Sequence, residues 1–217
     1  MKLVNMHDSK SCAARLVGSI PTIGTTVHLP TRKDLLAYLI GLAIGDGNLS
    51  NPNGRATRLR ISCDSKYLKL ADNICYTIKT LLPENKVSFI YRKITCFDIS
   101  CYSNKFESWL GWKAKNGSKF KQKIIVPNWI KINKKYTKWC LKGLFETDGS
   151  VYNDRNYVMA IFVTIIPSLA KDVRMMIKSI NYTSHTYKIK TKNKTRYNIR
   201  VSKQVESFVK TIGYYKK

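Results

Sequence analysis

Two stretches of the chain share a pattern and an ending: Leu39-Ile40-Gly41-Leu42-Ala43-Ile44-Gly45-Asp46-Gly47 and Leu141-Lys142-Gly143-Leu144-Phe145-Glu146-Thr147-Asp148-Gly149. Each reads as a largely apolar helix that closes on Asp-Gly. Small residues recur four apart, Gly41 with Gly45 and Gly143 with Thr147, and positions four apart share one helix face. A glycine inside a helix costs about 1 kcal/mol relative to alanine. That cost is understandable where another backbone approaches the glycine face, and the matching approach comes from the other copy. Two helices packed in this way bring their C-terminal ends together, so Asp46 and Asp148 become neighbours. A carboxylate there meets the negative end of the helix dipole and the last unpaired carbonyls. Two such carboxylates side by side repel each other unless a cation lies between them. Asp-Gly after a helix can also be a simple turn. Two copies in matching contexts, in a strongly basic chain, argue against that simpler reading.

The chain has 217 residues and a formal net charge of +26. An apolar content of 44% is ordinary for a folded protein. The charge points to a polyanionic partner, nucleic acid before membrane, because the basic residues are spread along the chain and not gathered on one amphipathic helix. No apolar run reaches the roughly 18 residues that a membrane-spanning helix requires. The six cysteines form no CxxC pair and the histidines are isolated, so a zinc site has no support. Cys63, Cys75, Cys96 and Cys140 fall in apolar-patterned segments and read as core residues. Residues 1–28 lack the features of a signal peptide. An intracellular, reducing location is therefore expected, the cytoplasm of a prokaryote or an organelle. Residues 1–29 form an N-terminal extension with no role assigned.

The order of elements repeats after each Asp-Gly. Thr31 and Asp34 form a capping box that opens a helix at Arg32. In the first half, a strand over Arg58–Ser62 precedes a helix that Asp64 or Ser65 would cap. That helix carries Leu68, Ala71, Ile74, Cys75 and Ile78 on one face and stops at Pro83. Strands over Lys86–Arg92 and Ile94–Cys101 and a short helix over Ser103–Leu110 follow. In the second half, a helix begins near Asn133. Then come a strand over Tyr157–Ile165, a helix opened by Pro167, strands over Thr186–Lys190 and Thr195–Val201, and a helix from about Ser202. This divides the chain into a first repeat over 30–112, a basic linker over 113–131 and a second repeat over 132–217.

The chemistry follows from the acids and the strands. Asp carboxylates with helix-terminal carbonyls are hard oxygen ligands that suit Mg²⁺. Metal held in this way activates water and stabilises the leaving oxygen of a phosphodiester. No serine, cysteine or histidine constellation offers a protein nucleophile. Arg196, Asn198 and Arg200 alternate along one strand. So do Lys188, Lys190 and Lys192, and Arg58, Arg60 and Ser62. A sheet with one apolar face and one face of such residues packs on helices and presents donors outward. Arg and Asn suit base edges, and Lys suits phosphate.

Both motifs resemble the LAGLIDADG signature, and over about residues 30–217 the chain resembles a single-chain, two-motif LAGLIDADG homing endonuclease. The resemblance implies an α+β fold of two pseudo-symmetric αββαββα repeats. They pack through the motif helices, and each carries a saddle-shaped antiparallel sheet that lies along DNA. It implies that Asp46 and Asp148 are catalytic and bind divalent metal, with the carbonyls of Gly45 and Thr147 near it. The expected cofactor is Mg²⁺, two or more ions, with Mn²⁺ or Ca²⁺ able to substitute in binding. The implied activity is cleavage of both strands of a long asymmetric site across the minor groove, leaving short 3′ overhangs, by a monomer with internal pseudo-twofold symmetry.

The pattern also has departures. The sixth motif letter is Ile44 in one copy and Glu146 in the other, and Glu146 suggests a structural role. Polar residues that the family often places at the ends of the second strands would fall at Cys63 and Ile165, which leaves that role unfilled. A basic residue near the site is expected from Lys119, Lys121 or Lys123, or from Lys216 or Lys217. The chain starts with Met and does not end in His-Asn, so a free-standing, intron-encoded protein is expected rather than an intein. The alternatives are an RNA maturase that assists its host intron and a DNA-binding protein of the same fold that does not cut.

Overall fold

The computed structural model describes residues 29–215 except Ile94 and Asn193. The N-terminal extension to residue 28, and Lys216 and Lys217, lie outside the described residues. The first half runs α1 (Arg32–Asp46), β1 (Gly47–Ser50), β2 (Arg58–Asp64), α2 (Leu68–Leu81), β3 (Val87–Lys93), β4 (Cys96–Tyr102) and α3 (Phe106–Leu110). After a connection containing α4 (Asn128–Lys131), the second half runs α5 (Lys134–Thr147), β5 (Gly149–Asp154), β6 (Tyr157–Thr164), α6 (Pro167–Ser179), β7 (Thr183–Lys190), β8 (Thr195–Ser202) and α7 (Val205–Ile212). Each half holds one antiparallel sheet, ordered β1-β2-β4-β3 and β5-β6-β8-β7. This is the repeated αββαββα architecture. No described helix is long and apolar enough to cross a membrane.

Local sequence explains where the motif helices begin. Thr31 and Asp34 make the expected capping box at α1, and the Asn133 side chain caps α5 through the Lys135 and Tyr136 amides. Leu39, Ile40, Leu42, Leu141, Leu144 and Phe145 are fully buried in one core that both halves share. Between the two helices there is almost no side chain. A Cβ on Gly41 would overlap the carbonyl oxygen of Cys140, and one on Gly143 would lie 2.5 Å from the Tyr38 oxygen and 2.7 Å from the Leu42 nitrogen. Gly47 and Gly149, which end the motifs, are also required by space. The backbone of Gly47 is extended (φ −79°), not left-handed, and a Cβ there would strike Ala43 of the last helical turn. The chain turns directly from helix into strand against its own last turn.

Polar contacts flank the seam. Asp34 is buried and paired with Lys135 at 2.8 Å. Burial alone would raise its pKa, but the bonds from Lys135 and Thr31 outweigh this and hold it below the usual carboxylate value. Glu146, the departure from the motif pattern, is fully buried. It accepts a hydrogen bond from the Tyr38 hydroxyl at 2.5 Å and from the Tyr215 amide at 3.1 Å, which ties both helices to the C-terminal segment. Burial, with the Glu146 charge, pushes the Tyr38 hydroxyl well above its ordinary pKa.

Several sequence expectations shift. Strands β1 and β5 have no counterpart in the periodicity, because four to six residues rich in Gly, Asn and Ser carry no alternation. Helix α2 begins at Leu68, and neither Asp64 nor Ser65 caps it. Asp64 ends β2 and instead accepts from the Lys66 amide in a turn. Leu68 is 58% exposed, and Leu70 takes its place in the core. Helix α7 begins at Val205, three residues later than expected. Lys203 and Gln204 adopt positive φ to turn the chain out of β8. Cys63, Cys75 and Cys140 are buried as expected, together with Cys101, whereas Cys96 is only half-buried.

The seam yields a direct prediction. Replacing Gly41 or Gly143 with alanine should destabilise the fold by about 3 kcal/mol, the upper range for overpacking, because the obstructing atoms are backbone. Urea unfolding measures this, and a loss below about 1 kcal/mol would mean that the helices are not held backbone to backbone.

Candidate metal and nucleic-acid site

The two motif acids follow directly from the seam. Gly45 and Thr147 are the last small residues of the paired faces, and a Cβ on Gly45 would lie 2.5 Å from that of Thr147. Asp46 and Asp148 are the next residues along each chain, at the ends of α1 and α5. Thr147 turns its hydroxyl inward to the Gly143 and Leu144 carbonyls at 2.9 and 3.1 Å. Asp46 is exposed and Asp148 half-exposed, so both carboxylates can meet a ligand.

One cation is already present. The Lys119 ammonium donates to the carbonyls of Ala43 (3.3 Å), Ile44 (2.6 Å) and Gly45, the orphan acceptors at the end of α1. Burial lowers the pKa of Lys119, while the charges of Asp148 and Asp46 oppose that shift. Both acids therefore lie close enough to act on one lysine. Lys121 and Lys123 are exposed and make no side-chain contact with these carbonyls. Of the three described candidates, Lys119 alone reaches the site.

The connection that carries Lys119 is structured. Ile124 and Val126 are buried. Gln122 bridges the Lys113 amide and carbonyl and the Gly117 carbonyl. Ser168 of α6 donates to the Lys123 and Ile124 carbonyls. Buried Asp172 of α6 accepts from the Val126 amide at 2.8 Å and pairs with Lys131 at 3.1 Å. An acid in the second half thus anchors the segment that places a lysine on the first motif helix. No sequence signal singled out Asp172 or Gln122.

The sheets sort the proposed binding residues by face, since directly opposed residues of an antiparallel pair point the same way. Arg58, Arg60 and Ser62 lie on the outer face of the first sheet, opposite Tyr102, Ser100 and Asp98. Asp98 is buried beneath them. It accepts from Ser62 at 2.8 Å and pairs with Arg92 at 2.5 Å and Arg60 at 3.9 Å. Asn48 and Ser50 of β1 accept from Arg60 and Arg58. Sequence reasoning missed Asp98 because one acid inside an apolar strand pattern gives no sign of two arginines on neighbouring strands.

In the second sheet, Arg196, Asn198 and Arg200 also share the outer face. Lys188 and Lys190 do not share it, contrary to expectation. They pair with Tyr197 and Thr195, and Lys192 lies beyond the strand. Lys188, Lys190 and Lys192 are exposed around the tip of the β7–β8 hairpin, and Tyr187 and Ile189 take the outer face. The error lies in register, which alternation along one strand cannot supply. Cys63 faces the core, which agrees with the absence of a polar residue at that position.

Comparison with known proteins agrees with this fold. Residues 136–213 match the LAGLIDADG-like domain, and residues 35–95 match the WhiA LAGLIDADG-like domain. The chain thus carries two LAGLIDADG-like domains, one in each half. The structure of the homing endonuclease I-DmoI in complex with DNA and Mn is similar, with a TM-score of 0.62 and 19% identity over 84% of this chain and 97% of that one. The N-terminal LAGLIDADG domain of DUF199/WhiA gives 0.60 and 18% identity over 88% of each chain. Among curated proteins, the ATP-dependent DNA helicase Hel308 of Thermococcus kodakarensis is 28% identical over 203 residues. That match takes in 88% of this chain and 17% of the helicase, so this LAGLIDADG chain spans less than a fifth of that relative.

The anchoring of the Lys119 segment can be tested without substrate. Asp172→Ala should cost about 1–3 kcal/mol by leaving the Val126 amide unpaired. It should also speed trypsin cleavage between residues 113 and 127. Unchanged proteolysis would show that the segment is held by something other than Asp172.

Proposed function

We propose that this LAGLIDADG protein is a site-specific, double-strand DNA endonuclease that uses divalent metal. The observation that carries the reading is the convergence of Asp46, Asp148 and the Lys119 ammonium where the two motif helices meet. Two outer sheet faces bearing arginines extend from that point. The donor set fits Mg²⁺: two carboxylates, with the Thr147 carbonyl as a further oxygen, while the expected Gly45 carbonyl already accepts from the Lys119 ammonium. When bound there, the ion supplies an activated water and a counter-charge for the leaving oxygen.

The chain's own residues do the rest. Asp46 and Asp148, one carboxylate from each half, would hold divalent metal where the two helix ends meet. Lys119 keeps a fixed ammonium beside them, where it can face charge developing on a phosphate. Arg58, Arg60, Arg196 and Arg200 engage the flanking duplex, with Lys188, Lys190 and Lys192 directed to phosphate. Cleavage across the minor groove with short 3′ overhangs and a monomeric state belong to the same reading. So does a setting within an intron.

The test is direct. Asp46→Asn and Asp148→Asn should each abolish double-strand cleavage of a target selected from a randomised library, while binding in Ca²⁺ survives. Wild-type cleavage by either variant would overturn the metal assignment. Binding should also weaken steeply with salt, as counterions are released from many phosphates. A flat salt dependence would contradict a phosphate-tracking surface. Binding to the host intron RNA in preference to the duplex would favour the maturase reading instead.

A further inference from the structure

The two halves match in backbone but not in outer-face chemistry. Gly47 pairs with Ile61 in the first sheet, and Gly149 pairs with Phe162 in the second. Counting from these equivalent points, Arg58, Arg60 and Ser62 of β2 correspond to Met159, Ile161 and Val163 of β6. The second strand of the second half therefore carries an apolar column where its twin carries hydrogen-bond donors. Ile161 and Val163 of this column are half-exposed, whereas Met159 is buried. Arg200 lies across Met159, with its guanidinium 3.4 Å from the sulfur.

We infer that the second half reads a thymine-rich half-site through this apolar column, while the first half reads its half-site through hydrogen bonds. This rests on the proposed DNA-binding function. The occupant is argued from charge and shape. Arg196 and Arg200 border the column on the same face, in a chain of net charge +26, which calls for a polyanion with apolar patches on its edge. The thymine 5-methyl is the apolar group that a duplex presents in its major groove. Asn198 stands opposite Val163, and its Oδ1 is shielded from solvent with no hydrogen-bond partner among the described residues. Beside this amide, the half-exposed isopropyl group of Val163 is placed to take a thymine methyl.

The probe is uracil. Replacing thymine with uracil removes only the 5-methyl and leaves every base-pairing group in place. The full chain, held in Ca²⁺, would first select a site from randomised duplexes. Thymines in each half of that site would then be replaced by uracil, and binding measured by competition. In one half each replacement should weaken binding about fourfold, from the loss of about 0.8 kcal/mol per buried methyl. In the other half the change should stay below about twofold. Ile161→Thr keeps a strand-forming residue, and should blunt the uracil effect in that half while leaving base preferences in the other unchanged. A defined site that tolerates uracil in both halves would overturn this inference alone. Failure to select any sequence would overturn the site-specific reading beneath it, and this inference with it.

Discussion

Backbone contact between α1 and α5 is possible only because Gly41 and Gly143 leave no side chain between the helices. That closeness determines where everything else stands. It brings the last residues of both helices to one point, so Asp46 and Asp148 meet without any loop having to carry them. It also sets the two sheets on either side of that point as extensions of the same chain turns, since β1 and β5 begin at the glycines that close the motifs. The ion pair of buried Asp34 with exposed Lys135 and the buried Tyr38–Glu146 bond then fix the register along the seam. Polar groups of this kind add little net stability when buried, but each penalises a slipped arrangement that would leave it unpaired.

Bringing two acids to helix C-termini concentrates negative charge, and the fold answers it with Lys119. Three consecutive carbonyls take its ammonium, and both acids reinforce its charge against the pull of burial. The lysine arrives from the connection between the halves and not from either repeat. Its position therefore depends on Asp172 and Ser168 of the second half, which hold that connection down. Pseudo-symmetry is broken at the point where the two copies meet. The outer faces break it further: Asp98 aligns Arg60 and Arg92 in the first half, and Met159, Ile161 and Val163 occupy the equivalent strand in the second.

The sequence made the helices, and the placement of Asp46 and Asp148 at their ends, legible because these signals are local or repeated. The Thr31–Asp34 capping box, the Asn133 cap and the four-residue spacing of Gly41, Gly45, Gly143 and Thr147 each reflect contacts within a few residues or between copies of one pattern. The misses are non-local. Strand β1 exists because it pairs with β2, and its four residues carry no periodicity. Lys188 and Lys190 changed face because register across β7 and β8 is set by partners, not by alternation. Asp98 and Asp172 appeared as single acids, and their partners lie on other strands or other helices. Among the lysines, only the fold could separate Lys119 from Lys121 and Lys123, which share its composition but not its direction.

In the proposed function the twin helix ends form one divalent-metal site facing a duplex. Anomalous scattering from crystals of the full chain with its selected target, grown in Mn²⁺, tests this most directly. Manganese peaks bonded to carboxylate oxygens of both Asp46 and Asp148 and to phosphate oxygens of the duplex are expected. Peaks away from both acids, or none at full metal loading, would contradict it.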